Sequence, residues 1–402
     1  MKTCPYAEKC GGCAFINKPY EESLKIKQSE VFRLFDGYKV DPIKAMEDPY
    51  HYRHKVYAAF GMTKAGKVFP ALYEESTHKM VNSHMCLIQH TAANRILQTI
   101  AALCDSMHIQ PYDERSGRGV LRHAYIRISH ASGDVLLVLV IGSKQLPSSG
   151  NFVKAIVREH PEIKTIILNR NSEHTSMVLG GRDTVLYGKG YITDKIGDIE
   201  FRISARSFYQ VNPQMTEVIY QTALEMADLK ATDAVLDACC GTGTISLLAA
   251  GKAGYVLGVE LNEDAVQDAV RNAENNGIEN VDFIVDDVTS FIDDLEDTPD
   301  AVFLDPPRTG LNSHFMQAIA RLGPARIVYV SCNPETQRRD INILLENGYR
   351  IRRVQPADNF PFTRSIENIV LLIRQNQDKS IKPPVRRPAW QGRPKAGRKG
   401  SR

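Results

Sequence analysis

The stretch from Ala234 to Arg308 constrains the fold more than any other part of the chain. Four short apolar runs in it end at acids: Ala234 to Leu236 at Asp237, Tyr255 to Val259 at Glu260, Val281 to Val285 at Asp286 and Asp287, and Ala301 to Leu304 at Asp305. Continuous apolar runs of this length suit strands covered on both faces, as in a parallel sheet. Helical patterns lie between them. In one, Ala265, Val266, Ala269, Val270 and Ala273 share a face and Gly277 provides the stop. This alternation predicts a doubly wound α/β sheet, with ligands held across the carboxyl ends of the strands.

The first strand end reads Asp237-Ala238-Cys239-Cys240-Gly241-Thr242-Gly243-Thr244 and runs into an apolar helix start, Ile245 to Ala250. Glycines at a strand-to-helix turn let a ligand approach the backbone at the helix N-terminus. The third glycine of a dinucleotide fingerprint is replaced by Ser246. Glu260, closing the second strand, is placed to grip a ribose diol, and an adenosyl ribose meets that need as well as a dinucleotide does. The fourth strand ends in Asp305-Pro306-Pro307-Arg308. Enzymes that methylate exocyclic amines carry an aromatic residue after Pro-Pro, on which the base stacks; Arg308 argues against that chemistry.

A fifth apolar run, Arg326 to Val330, delivers Ser331-Cys332-Asn333-Pro334 to the same crevice, and Glu367 stands just before a further strand, Ile369 to Ile373. A thiol and a carboxylate beside a methyl donor suit the alkylation of uracil carbon 5. That carbon is a poor nucleophile until a thiolate adds to carbon 6 and places enolate charge on it. The carbon 5 proton must then leave before the thiol can be eliminated, which requires a general base. Cys332 is the expected nucleophile and Glu367 the expected base.

The N-terminal part carries Cys4-x5-Cys10-x2-Cys13, with Cys86 far downstream. Four thiols, three of them closely spaced, suit a tetrathiolate site for zinc or an iron–sulfur cluster, and ligand type does not choose between them. Cys104 falls in the apolar pattern of Ile96 to Met107 and reads as core. His51-Tyr52-Arg53-His54-Lys55 precedes a strand-like run, Val56 to Phe60, and mixes basic and aromatic groups as phosphate contact and base stacking require. Arg118, Arg122 and His123 are further candidates to face RNA. Strands are expected at Ala124 to Ser129, Val135 to Ile141, Ile163 to Asn169, Met177 to Leu179 and Tyr191 to Thr193, with helices around Asn151 to Glu159 and Gln214 to Leu229.

The formal charge of +3 conceals an uneven distribution. Residues 379–402 hold nine Lys or Arg and no acid, so +3 less those nine leaves −6 on the remainder. Rich in Pro and Gly, this segment reads as a disordered basic arm with affinity for phosphate. The longest apolar run, Val135 to Ile141, is too short to span a bilayer, and a soluble cytoplasmic monomer is expected. In the reducing cytosol the eight cysteines are expected to be thiols, ligands or catalysts rather than disulfides.

Together CPYAEKCGGC, YRHK, FYQVNP, LDACCGTGT, GVE, LDPPRTG, VYVSCNPET and FPFTRSIEN resemble the RNA uracil carbon-5 methyltransferases, and specifically the iron–sulfur branch that acts on 23S ribosomal RNA. The resemblance covers roughly residues 1–375. It implies a class I S-adenosylmethionine-dependent methyltransferase sheet, preceded by a mixed α+β RNA-binding domain carrying the cysteine cluster. The implied boundaries are 1–90 for the cluster region, 91–200 for the central domain, 201–376 for the catalytic domain and 377–402 for the basic tail. Gln210, Glu260 and Asp305 are implied contacts of S-adenosylmethionine, with Cys239, Gly241, Gly243, Thr244 and Asp287 also at the cofactor site. Cys4, Cys10, Cys13 and Cys86 are the implied ligands of a [4Fe-4S] cluster. The implied partner is 23S rRNA, with the thymine loop of tRNA as the alternative substrate and a non-catalytic RNA-binding assembly factor as the alternative class. Many members carry a small RNA-binding β-barrel ahead of the cysteines, where this sequence begins, so the basic tail is the expected source of further RNA affinity.

Overall fold

The computed structural model describes residues 2–375, apart from 76, 78, 174, 176, 208 and 296; the expected basic arm lies outside the described residues. The chain opens with α1 (Tyr20–Leu34), β1 (Lys55–Met62), β2 (Val68–Tyr73), β3 (Met80–Asn82), α2 (Thr91–Ser106), β4 (Leu121–Ile128), β5 (Val135–Ile141), α3 (Ser149–Glu159), β6 (Ile163–Arg170) and β7 (Arg182–Tyr187). A hairpin, β8 (Tyr191–Ile196) and β9 (Ile199–Ser204), leads to α4 (Pro213–Ala227). There follow β10 (Ala234–Ala238), α5 (Thr244–Ala250), β11 (Tyr255–Glu260), α6 (Glu263–Asn275), β12 (Val281–Val285), α7 (Val288–Asp293), β13 (Ala301–Leu304), α8 (Ser313–Leu322), β14 (Arg326–Ser331), α9 (Pro334–Glu346), β15 (Tyr349–Ala357) and β16 (Glu367–Arg374).

Two seven-stranded sheets organise these elements. The first runs β3-β2-β1-β4-β5-β6-β7 and is antiparallel except between β5 and β6. It draws strands from both sides of residue 90. The second runs β12-β11-β10-β13-β14-β16-β15, parallel through β14, with β16 antiparallel to both its neighbours. This is the expected Rossmann-like sheet. Its apolar strands bury both faces, one against α4, α5 and α6 and the other against α1, α8 and α9. Local capping sets the helix starts: Asn212, Asn262 and Asn312 each accept a backbone N–H of the first turn, and Pro213 occupies the first turn of α4.

Residues 35–45 run along the outer edge of the second sheet, where Val40 bridges to Val354 and Lys44 to Ala357. Val31 and Phe35 of α1 share a core with Tyr329 and Ile341. The N-terminal segment is therefore built onto the second sheet. One expectation changes, and one helix was not anticipated. Met177–Leu179 is not a strand, because Asn171 Nδ2 takes the Met177 and Val178 carbonyls at 2.7 and 3.1 Å; the strand follows as β7. Helix α1 carried no apolar signal, since it buries Ser23, Lys27 and Val31.

Candidate active site

The register of β14 against β16 brings the thiol and the carboxylate together. Ser331 pairs with Asn368, so Cys332 and Glu367 stand one residue beyond the same rung, at the carboxyl end of β14 and the start of β16. Glu367 is 5% exposed. Burial and the neighbouring Asp305 push its carboxyl up to about 8, opposed by the Asn359 side chain and Arg308. The half-buried Cys332 thiol is also raised, first by burial and then by Glu367, while the Arg308 guanidinium beside it favours the thiolate. Arg308 Nη2 donates to Ser365 Oγ at 2.8 Å, and its carbonyl accepts from Asn333 Nδ2 at 3.2 Å and Thr336 Oγ1 at 3.1 Å. A cation and a carboxylate thus both act on the sulfur, in opposite senses.

Next to this pair lies the turn after β10. Cys239, Gly241 and Gly243 have positive φ of 66°, 55° and 78°, which carries the backbone sharply into α5 and leaves Thr244 as its first residue. A Cβ on Gly243 would lie 2.7 Å from Phe283 Cζ, so glycine is required there on two counts. Glu260 accepts from Gly241 N at 3.0 Å and Asn262 N at 2.9 Å, which locks its carboxylate across the turn. The Cys239 thiol is pushed up to about 12 by burial and by Glu260, Asp237, Asp305 and Asp287, so it lines the crevice as a neutral group. Asp287 is exposed and caps α7 by accepting from Thr289 N and Ser290 N at 2.8 and 3.3 Å. Gln210 Nε2 donates to the buried Tyr220 hydroxyl at 3.4 Å, and Tyr220 feels Asp305, Glu367 and Asp237.

Asp237 was legible as a strand end but not as a site residue. Its Oδ2 accepts from Ser246 Oγ at 2.5 Å, while its Oδ1 is buried with no hydrogen-bonding partner among the described residues. Burial pushes Asp237 and Asp305 each up to about 7. A buried carboxylate oxygen without a partner is costly, so Asp237, with the equally buried Asp305 close by, builds a crevice suited to receive a cation. A sulfonium or an ammonium meets that requirement.

Cys4, Cys10, Cys13 and Cys86 line a single cavity of about 160 Å³ and form no disulfide. Burial and the other three sulfurs push the Cys13 thiol up to about 12. Gly11 is needed because a Cβ there would lie 2.8 Å from Glu75 Cα. Among the described residues no three His, Cys, Asp or Glu side chains are arranged to hold a metal ion. The donor chemistry therefore fits a thiolate-bound group, whereas the sulfurs are not drawn in to coordination geometry.

Several residues read as facing RNA are internal. Arg122 is buried and clamped by Glu114 at 2.6 and 2.9 Å and by the carbonyls of Asn171, Glu173 and Thr175. Burial holds His123 down to about 4 and hence neutral. Tyr52 is buried and donates to Pro361 O at 3.1 Å. Tyr57 remains an exposed aromatic, stacked on Tyr125 at 4.5 Å.

The family model described as tRNA (uracil-5-)-methyltransferase matches residues 19–375. This chain belongs to that family. It is an RNA methyltransferase. An uncharacterized RNA methyltransferase of Oceanobacillus iheyensis is 40% identical to this family member over 373 residues, covering 90% of this chain and 81% of the relative. One from Clostridium acetobutylicum is 40% identical over 382 residues, covering 92% and 83%. The crystal structure of the Pyrococcus abyssi tRNA (uracil-54, C5)-methyltransferase with S-adenosyl-L-homocysteine aligns with a TM-score of 0.78 at 24% identity, over 93% of this methyltransferase and 88% of that chain, which shows a shared fold. Among the described residues no helix is long and apolar enough to cross a membrane.

Proposed function

We propose that this methyltransferase forms 5-methyluridine in RNA by covalent catalysis, with a uridine of 23S ribosomal RNA as its substrate. The convergence of Cys332 and Glu367 on one rung of adjacent strands, beside Arg308 and Asp305, carries the reading. Bound S-adenosylmethionine supplies an electrophilic methyl group. Gln210, Cys239, Gly241, Gly243, Thr244, Glu260, Asp287 and Asp305 line its place on this reading, and Asp237 joins them.

The Cys332 thiolate bonds to carbon 6 of the uracil, and the π electrons of the 5,6 double bond move to oxygen 4 as an enolate. Carbon 5 then bonds to the methyl carbon as the bond from that carbon to sulfur breaks, leaving a neutral thioether. Glu367 takes the carbon 5 proton, and the released pair restores the double bond and expels the Cys332 thiolate. Arg308 favours the thiolate at both ends of the cycle. With Glu367→Gln, addition and methyl transfer proceed but elimination stalls, so a denaturation-resistant protein–RNA adduct accumulates. A variant that turns over normally rules Glu367 out as the base.

The 23S branch rests on the cysteine motif, and the thymine loop of tRNA is the competing substrate for the same chemistry. Mapping 5-methyluridine in ribosomal and transfer RNA with and without the protein separates them. Cys4, Cys10, Cys13 and Cys86 would hold a [4Fe-4S] cluster, since four soft thiolates around one cavity are the donor set it takes. On this reading residues 1–90 carry the cluster and share one sheet with the RNA-recognition segment 91–200, while 201–376 form the catalytic domain. Residues 377–402 serve as a phosphate-binding arm; removing 379–402 should weaken RNA binding and flatten its salt dependence.

A further inference from the structure

Helix α1 turns a lysine toward the protein interior. Ser23, Lys27 and Val31 follow at four-residue intervals on its buried face, and Lys27 is 1% exposed. An ammonium in such a place is expensive unless its donors are used. All three are: Nζ donates to Asp358 Oδ1 at 2.6 Å, to Phe360 O at 3.0 Å and to Ser365 O at 2.8 Å. Tyr20, also on α1, donates its hydroxyl to Asp358 Oδ2 at 2.8 Å.

The three acceptors lie on the loop between β15 and β16, and both ends of that loop are catalytic ground. Asn359, next to Asp358, faces Glu367. Ser365 accepts from Arg308, whose guanidinium faces Cys332, and Glu367 lies two residues further on. One ammonium thus gathers carbonyls five residues apart and closes the loop around the base. A buried pair kept for stability alone is commonly replaceable by apolar groups. Here every bond from Lys27 ends on the segment that aims the reacting groups.

We propose that Lys27 is a positioning residue of the methyl-transfer cycle, whose closure of loop 358–366 holds Glu367 where it can take the carbon 5 proton. The proposal rests on Glu367 being the base, and its test separates the two ideas. Lys27→Met with Asp358→Asn removes both charges of the pair and leaves no unpaired ion. This double variant is compared with wild type and with Glu367→Gln for S-adenosyl-L-homocysteine binding, RNA KM and kcat, and the fraction of protein trapped on RNA as a denaturation-resistant adduct.

The expected result is cofactor affinity and RNA KM within about 3-fold of wild type, kcat lower by about 10- to 100-fold, and accumulation of adduct. A displacement of about 1 Å at the reacting groups produces a loss of that size. A double variant that turns over normally, or loses rate only in step with cofactor binding and without trapped adduct, overturns the proposal while the Glu367 assignment stands. If Glu367→Gln itself turns over normally, both readings fall.

Discussion

Replacing Glu367 with Gln should make the protein more stable in proportion to pH. The carboxyl is 5% exposed and held up at about 8 by burial and by Asp305, against 4.5 for an ordinary glutamate. Below 4.5 the side chain is protonated in both folded and unfolded chains, and Gln is a near-isostere of that neutral form. Above 4.5 the unfolded chain releases its proton while the folded chain retains it, so the folded state binds more protons and wild-type stability falls as pH rises toward 8. Each pH unit in that window costs the wild type ~1.36 kcal/mol. The advantage of Gln therefore grows from about 1 kcal/mol at pH 5 to about 3 kcal/mol at pH 7, the latter roughly 4 °C in Tm for a chain of this length. Thermal unfolding of both proteins across pH 5–8 measures it. A Tm difference that does not change with pH would refute the claim that the base is stored as a desolvated carboxyl, and with it the electrostatic coupling to Asp305.

Other outcomes follow from the same site. Cys332→Ala should abolish both methylation and the covalent adduct, with cofactor binding intact and stability within about 1 kcal/mol, because the thiol is only half-buried; RNA still methylated by this variant would exclude the covalent route. Since Cys332 and Glu367 must both ionise and the Cys332 thiol is raised, kcat/KM should rise from pH 6 through about 8, where Glu367 ionises, and keep rising above it, and the kcat profile should rise at lower pH once a sulfonium sits beside Asp305; a profile that is flat or levels off at 8 contradicts this. Asp237→Asn keeps the bond to Ser246 but removes the unpartnered charge, so S-adenosylmethionine should bind about 10-fold more weakly while Tm rises. Calorimetry alongside thermal unfolding checks both halves, and unchanged affinity would remove Asp237 from the site.

The bounds of β11 and β13 were readable from the chain because buried parallel strands are continuous apolar runs closed by acids and turns, and those of β12, which Asp282 interrupts, because Asp286 and Asp287 close it. Edge strand β7 was not, since it is exposed on both faces and carries no alternation. Arg122 looked like an RNA contact because charge normally lies at the surface; its carbonyl and carboxylate partners come from 8 to 53 residues away. Lys27 left no trace at all. Its partners are 331 to 338 residues distant, and one of two lysines in a polar helix has the signature of a solvated face.

The chain alone determined the sheet, the glycine turn, and a thiol and an acid suited to the proposed uracil chemistry, because each is encoded in a few contiguous residues. Tertiary structure decided whether they meet. The pairing of Ser331 with Asn368 sets Cys332 beside Glu367, two residues 35 positions apart whose register no local pattern specifies. It also decided their electrostatic state, since the packing that raises Glu367 and leaves Asp237 Oδ1 without a partner is a property of the assembled crevice.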